Sequence, residues 1–178
     1  MALNHDGEPI VSDGEGGGVY QLVKGSLHRL DRGDFISPQT PAQCPGSDML
    51  FIPDYARGIG AMDPRTGRIE WFVSGGRHAL AGIDGLYCRG QTLFAVQNGT
   101  TPQRVIAFHL NDTLTQITGE TIVDKRNNGD FTHGVFVGDS FLYIADSGWS
   151  RIDEHGMAKP NAQPGKARVM QYQANGSP

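Results

Sequence analysis

Asp84 and His133 occupy matching places in this chain. Asp84 lies between Ile83 and Gly85, and His133 lies between Thr132 and Gly134. Gly85 stands eight residues before Leu93, and Gly134 eight before Leu142. A carboxylate and an imidazole at equivalent points of a repeat are candidates for acid–base work. A second polar set closes each of four apolar runs: Asp13, Asp54, Gln97-Asn98 and Asp146-Ser147. Gathered at one opening, such oxygen-bearing side chains suit a hard cation such as Ca²⁺. A metal there would polarise a substrate carbonyl. Asp54, Gln97, Asp146 and Trp149 are the expected substrate-facing rim.

The elements that must position these residues are short strands. Pro9–Asp13, Leu50–Asp54, Leu93–Gln97 and Leu142–Asp146 are four copies of one strand-and-knuckle unit, ending at residues 13, 54, 97 and 146. A repeat of roughly 40–50 residues built from short strands is the pattern of a β-propeller, whose blades are four-stranded sheets around a channel. The best copy reads Ile83–Arg89, Thr92–Val96, Arg104–Leu110 and Thr115–Val123 as four strands, with Gly, Asn and Pro between them. The expected blades are residues 1–33, 40–74, 82–124 and 132–174, with a long insertion over 147–166. The fold class is therefore all-β, a propeller of about four antiparallel blades, ragged at both ends. Three assemblies fit that raggedness: the C-terminal part of a larger ring, a four-bladed ring closed by the N-terminal residues, or two copies combining.

In a blade the inner strand runs down the channel and the second runs back. Strand starts (Asp84, His133) and strand ends (Asp13, Asp54, Gln97, Asp146) then share one face. The alternative for the strand-end residues is architectural, because Asp and Asn at such places build turns in any β-protein. Their recurrence in every copy favours that reading for Asp13, Asp54 and Asp146. Asp84 has no turn that demands it.

Composition narrows the remaining classes. The 178 residues carry 25 Gly and 10 Pro and a formal net charge of −4. Lys and Arg are scattered, so no basic stripe is available for nucleic acid. No apolar run approaches the ~20 residues of a membrane span, and Met1–Gly7 lacks the pattern of a signal peptide. A soluble protein is expected. No GxSxG elbow, P-loop or zinc-type Cys/His spacing occurs. Cys44 and Cys88 lie near the inner strands of consecutive blades; they read as two small buried hydrophobes rather than a disulfide framework.

Three stretches carry a family resemblance: Ile83-Asp84-Gly85-Leu86-Tyr87, then Thr92–Gly99, then Arg104–Phe108. They resemble the senescence-marker-protein / gluconolactonase / luciferin-regenerating-enzyme-like propellers. Phe141–Ser147 is similar to the same family and to NHL-repeat propellers. The resemblance implies a six-bladed ring, one divalent metal in the channel, and hydrolysis of a small-molecule lactone or ester. Under it, Asp84 matches the start-of-strand Asn/Asp-Gly motif that supplies a metal ligand, and Asn98, in a loop beside the channel, is the second expected ligand. His133, Pro41 and Ala42 depart from the family's ligand pattern. The alternative function is a non-catalytic binding or interaction module. The C-terminal part of a larger, six-bladed ring is the favoured assembly, with self-association to complete the ring as an alternative.

Overall fold

The structure is a computed structural model and describes residues 1–163 and 165–174. Asn175-Gly176-Ser177, which fits the glycosylation pattern but reads as a turn sequence, lies outside the described residues. Fifteen strands form four antiparallel sheets among them. Blade 1 holds β1 (Ala2–Leu3), β2 (Pro9–Asp13), β3 (Gly18–Val23) and β4 (Ser26–Arg29). Blade 2 holds β5 (Ala42–Gln43), β6 (Leu50–Asp54), β7 (Gly58–Met62) and β8 (Ile69–Trp71). Blade 3 holds β9 (Ile83–Arg89), β10 (Thr92–Gln97), β11 (Gln103–Leu110) and β12 (Ile117–Arg126). Blade 4 holds β13 (Thr132–Val137), β14 (Ser140–Asp146) and β15 (Arg168–Gln173). Each sheet runs in chain order. The first strands β1, β5, β9 and β13 contact one another in succession and so lie innermost.

The blades are glued by alternate residues of their strands. Ile10 and Val19 of blade 1 pack on Leu50, Ile52 and Met62 of blade 2. Phe51, Ile59 and Ala61 of blade 2 pack on Leu86, Leu93, Ile106 and Phe108 of blade 3. Phe94, Val96, Val105 and Ala107 of blade 3 pack on Phe141, Tyr143 and Ala145 of blade 4. A period of two on a pleated strand allows one face to meet the preceding blade and the other to meet the next. No buried cluster among the described residues joins blade 4 to blade 1.

These faces fix the true register of the repeat. Asp54 shares a face with Leu50 and Ile52, and Gln97 with Leu93 and Ala95, all turned to the preceding blade. In blade 4 the residues so turned are Phe141, Tyr143 and Ala145. Ala145 therefore stands in the rung of Asp54 and Gln97, and Asp146 stands one step further on. The sequence alignment of the four knuckles holds for three blades and slips by one in the fourth. Leu93–Val96 of β10 and Phe141–Ala145 of β14 both read as continuous apolar runs, so only burial reveals which alternate set faces the preceding blade.

The cysteines correct a second expectation. Cys44 and Cys88 form a disulfide, with Cα atoms 5.1 Å apart. Cys44 directly follows β5 and Cys88 lies in β9, so the bond staples blade 2 to blade 3 beside the channel. Adjacent inner strands bring the two Cα atoms within bridging range, which spacing along the chain does not show.

Blade 1 is tied at its outer corner by Asp31. Its buried carboxylate accepts hydrogen bonds from the backbone N–H of Val19 (2.8 Å) and Gly33 (2.8 Å) and pairs with Arg29 at 2.9 Å. Burial pushes the Asp31 carboxyl upward, but the Arg29 and backbone hydrogen bonds outweigh it, leaving it below the ordinary 3.8. A depressed folded-state pKa means the ionised form is the one stabilised by folding. That stability is present above the unfolded value and is lost as pH falls through the folded one. Chemical denaturation across pH 5 to 2 is expected to show an acid-side loss below about pH 4 that shrinks in Asp31→Asn; an unchanged acid limb would disprove the assignment.

Candidate functional site

Asp84 sits at a bulge. Gly85 pairs with Val96 and Ile83 with Gln97, so Asp84 has no cross-strand partner on β10. A bulge re-aims the extra residue's side chain, here at the mouth end of an innermost strand. β13 has a bulge of its own: Gly134 pairs with Tyr143 and Thr132 with Ile144, leaving His133 as the extra residue. Tyr143 stands in the rung of Ala95, so this bulge falls one rung away from that of Asp84, and the two residues are not equivalent as counting along the sequence suggests.

Around Asp84 the chain builds a polar cluster from three blades. Asn98 Nδ2 donates to Asp84 Oδ2 at 3.1 Å, and Thr132 Oγ1 donates to the same oxygen at 2.7 Å. Asn98 Nδ2 also donates to the Phe131 carbonyl at 3.1 Å. Tyr55 Oη donates to Asn98 Oδ1 at 2.9 Å. Tyr55 follows β6, Asn98 follows β10, and Thr132 opens β13, so blades 2, 3 and 4 converge on one carboxylate. Asp84 Oδ1 receives no hydrogen bond from any described side chain or turn. Asp84, Asn98 and Thr132 are half-buried and Tyr55 is exposed, so the cluster is open to solvent.

Two glycines permit this approach. Gly99 N donates to the Gly82 carbonyl at 3.1 Å, and a Cβ on Gly99 would lie 2.7 Å from both Gly82 Cα and Tyr55 Oη. Gly82 has φ +72°, a conformation open to glycine at little cost. Any side chain at Gly99 would push Tyr55 off Asn98. The Asp84 charge also reaches its aromatic neighbours. Burial first, and the Asp84 charge second, raise the Tyr55 phenol. Burial pushes Tyr87 up to about 12, with a smaller upward push from Asp84. Tyr87 stays protonated and its oxygen accepts the Gly134 N–H at 2.8 Å, fixing β9 against β13.

The expected rim residues divide. Asp54 and Gln97 are fully buried and cannot face a substrate. Asp54 accepts four backbone N–H groups, from Ile36, Ser37, Ala56 and Arg57. Gln97 does the converse: its Nε2 donates to the Ala79 and Ala81 carbonyls, and its Oε1 accepts from Arg104 Nε at 2.6 Å. In the same rung, each ties the crossover from the preceding blade. Asp13 caps its own turn through Glu15 N and Gly16 N. Asp146 pairs with Arg151 at 2.9 Å, and hydrogen bonding from Arg151, outweighing desolvation, holds its carboxyl below the usual range. Trp149 opens a short 3₁₀ turn (Trp149–Arg151) in the insertion and is exposed. His133 is exposed and lines a shallow recess of about 240 Å³ on the outward side of blade 4 with Val135, Leu142, Ile144 and Val169. The structure brings Asp84 and Asn98 together, and places His133 on a different surface. Sequence reasoning missed Tyr55 and Thr132; their one signal is position, directly after a knuckle and directly before His133.

The fit to a divalent metal is poor in this arrangement. Among the described residues no three His, Cys, Asp or Glu side chains gather to hold one. Asn98 turns its nitrogen, not its oxygen, toward Asp84. That orientation is dictated by its partners, since Asp84 and the Phe131 carbonyl can only accept.

No protein-family model and no curated protein matches the chain. Solved structures match its fold. Hydrazine synthase from Kuenenia stuttgartiensis aligns at TM-score 0.63 and 13% identity, over 94% of this chain and 47% of that one. An auxiliary nutrient binding protein from Bacteroides ovatus aligns at TM-score 0.58 and 16% identity, over 81% and 41%. The PQQ-bound form of aldose sugar dehydrogenase from Streptomyces coelicolor aligns at TM-score 0.51 and 13% identity, over 87% and 51%.

The chain is a β-propeller. It spans about half the length of the solved chains it matches. At these identities the likeness is of fold alone, and fold does not choose between binding and catalysis.

Proposed function

We propose that this propeller binds a small hydroxylated or cationic molecule at its channel mouth, with Asp84 as the anchoring acceptor. One observation carries the reading. Asp84 Oδ2 is locked by Asn98 and Thr132, while Oδ1 is left for a donor from outside. A carboxylate oriented by its neighbours needs no reorganisation to accept a hydroxyl or ammonium hydrogen, which is how a binding group is preorganised. Tyr55 offers an aromatic edge beside it.

A hydrolytic version of the same site is the second reading, supported by the gluconolactonase-like stretch around Asp84. There Asp84 Oδ1 takes a proton from a water whose oxygen bonds to a lactone or ester carbonyl carbon; the acyl C–O bond then breaks, and the proton passes to the departing alkoxide oxygen, leaving the carboxylate as it began. A calcium-dependent form would need Asn98 to turn its oxygen toward Asp84 and further oxygens to join them. The Cys44–Cys88 bond favours an oxidising compartment for either form, and no helix is long and apolar enough to cross a membrane among the described residues.

Calorimetric titration with aldoses, aldonolactones, small amines and Ca²⁺, with lactone turnover followed in parallel, tests both. A ligand that binds is expected to lose about 10- to 100-fold in affinity in Asp84→Ala, the worth of one hydrogen bond to a charged group. Binding that survives Asp84→Ala unchanged overturns the site. Turnover that appears only with Ca²⁺ and vanishes in Asn98→Ala selects the metal-dependent reading.

A further inference from the structure

The two ends of the arc present faces that the interior of the arc uses to join blades. On blade 4, Val135, Leu142, Ile144 and Val169 point away from blade 3, since their neighbours Phe136, Phe141 and Tyr143 point into it. Rung by rung they correspond to Tyr87, Phe94, Val96 and Val105, the face with which blade 3 holds blade 4. Val105 is 0% exposed, whereas Val169 is 61% exposed and Val135 53%. At the other end, Val11, Leu22 and Leu27 of blade 1, with Leu3, point away from blade 2. Val11 stands in the rung of Ile52 and Ala95, which are buried against a preceding blade. Leu3 is 61% exposed and Leu27 57%.

We propose that two copies of this chain join head to tail, the outward face of blade 4 of each seating on the outward face of blade 1 of the other, to close an eight-bladed ring. The occupant follows from continuity with the established interfaces. Each end carries the half-interface that the other end lacks, in the register used three times within the arc. The contact joins two different surfaces, so it is heterologous; with two copies it closes instead of propagating. Eight blades lie within the range of known propellers. Closure would bury apolar patches that monomeric proteins rarely leave open, and would remove the free recess beside His133.

Light scattering after size exclusion, at chain concentrations from about 1 to 100 µM, is expected to give twice the chain mass. Two surface variants sharpen the test: Val135→Glu with Val169→Glu on one face, and Leu3→Lys with Leu27→Lys on the other. All four positions are solvent-exposed in the single arc, and near-native circular dichroism checks that the arc still folds. Each variant alone is expected to be monomeric, because both of its interfaces contain a damaged face. An equimolar mixture is expected to recover the dimer, since one of its two interfaces is then entirely native and the other pairs Glu with Lys. A monomer at all concentrations overturns the proposal. So does open-ended growth in mass. A dimer that survives in the Leu3/Leu27 variant alone shows a contact that does not use blade 1, such as a symmetric blade 4 contact, and likewise overturns it.

Discussion

Cys88→Ser is expected to lower the unfolding free energy by about 3–4 kcal/mol. The bond joins residues separated by 44 positions, and tethering a loop of that size removes roughly this much conformational freedom from the unfolded chain. Its effect is not spread evenly. The bond crosses from blade 2 to blade 3 beside their shared cluster of Phe51, Leu86, Leu93 and Phe108, so its loss weakens one blade junction in particular. Urea unfolding of the wild type under oxidising and reducing conditions measures the effect directly. The two wild-type curves should differ by the same amount as wild type and Cys88→Ser, and reductant should leave the variant unmoved. Coincident curves for oxidised and reduced wild type would show that the bond contributes nothing.

Asp54→Ala is expected to cost about 3–5 kcal/mol, because a fully buried carboxylate that accepts four backbone N–H groups has no substitute. Two of those donors, Ile36 N at 2.6 Å and Ser37 N at 3.1 Å, belong to the crossover arriving from blade 1. The other two, Ala56 N and Arg57 N at 3.0 Å, shape the turn into β7. Stranding a buried donor costs about 1–3 kcal/mol, and the accessible ones recover part of the loss from water. Asp54→Asn should fall between wild type and alanine, since its amide keeps one acceptor but sets an NH₂ against N–H groups. Denaturant midpoints for the three proteins test the order. Asp54→Ala should also leave ligand affinity at Asp84 within a few-fold, because Asp54 is buried beneath the mouth and does not line it.

Much of the fold was legible in the residues. The four knuckle strands at Pro9–Asp13, Leu50–Asp54, Leu93–Gln97 and Leu142–Asp146 carry β-branched and aromatic residues between glycine-rich turns, and local chemistry is enough to locate them. The third blade was read almost strand for strand. Asp13 and Asp54 read both as turn-builders and, for Asp54, as a rim residue; the structure has Asp13 capping its own turn and Asp54 buried on four backbone N–H groups. The inner strand of blade 2 was not legible in the same way: it shrinks to Ala42–Gln43, held by the bridge of Thr40 to Gly85 and by the hydrogen bond from Leu86 N to the Thr40 carbonyl. Those partners lie in another blade.

The site divides along the same line. Asp84 was marked by its own neighbourhood, since no turn demands a carboxylate between Ile83 and Gly85. Asn98, in the same copy of the repeat, was marked with it. Tyr55 and Thr132 were not, because they belong to the neighbouring blades and reach the site only when the sheets stack. Counting sets His133 at the place equivalent to Asp84, and both are bulge residues, yet the bulges fall one rung apart, and Asp84 joins a polar cluster while His133 lines an apolar recess. What differs is whether another blade stands beside the strand. The cysteines teach the same lesson, as Cys44 after β5 and Cys88 within β9 lie in separate repeats and bond only because those inner strands are neighbours.

The sequence by itself determined the strands, the turns and the repeat, because backbone preference and alternation are properties of a few adjacent residues. Tertiary structure alone decided which alternate set of each strand faces which blade, and with it the slip that puts Ala145 in the rung of Gln97. It also decided that Cys44 meets Cys88, and that one oxygen of Asp84 is held while the other is left for a ligand. These are contacts between residues far apart in the chain, and their energies exist only once the blades have packed.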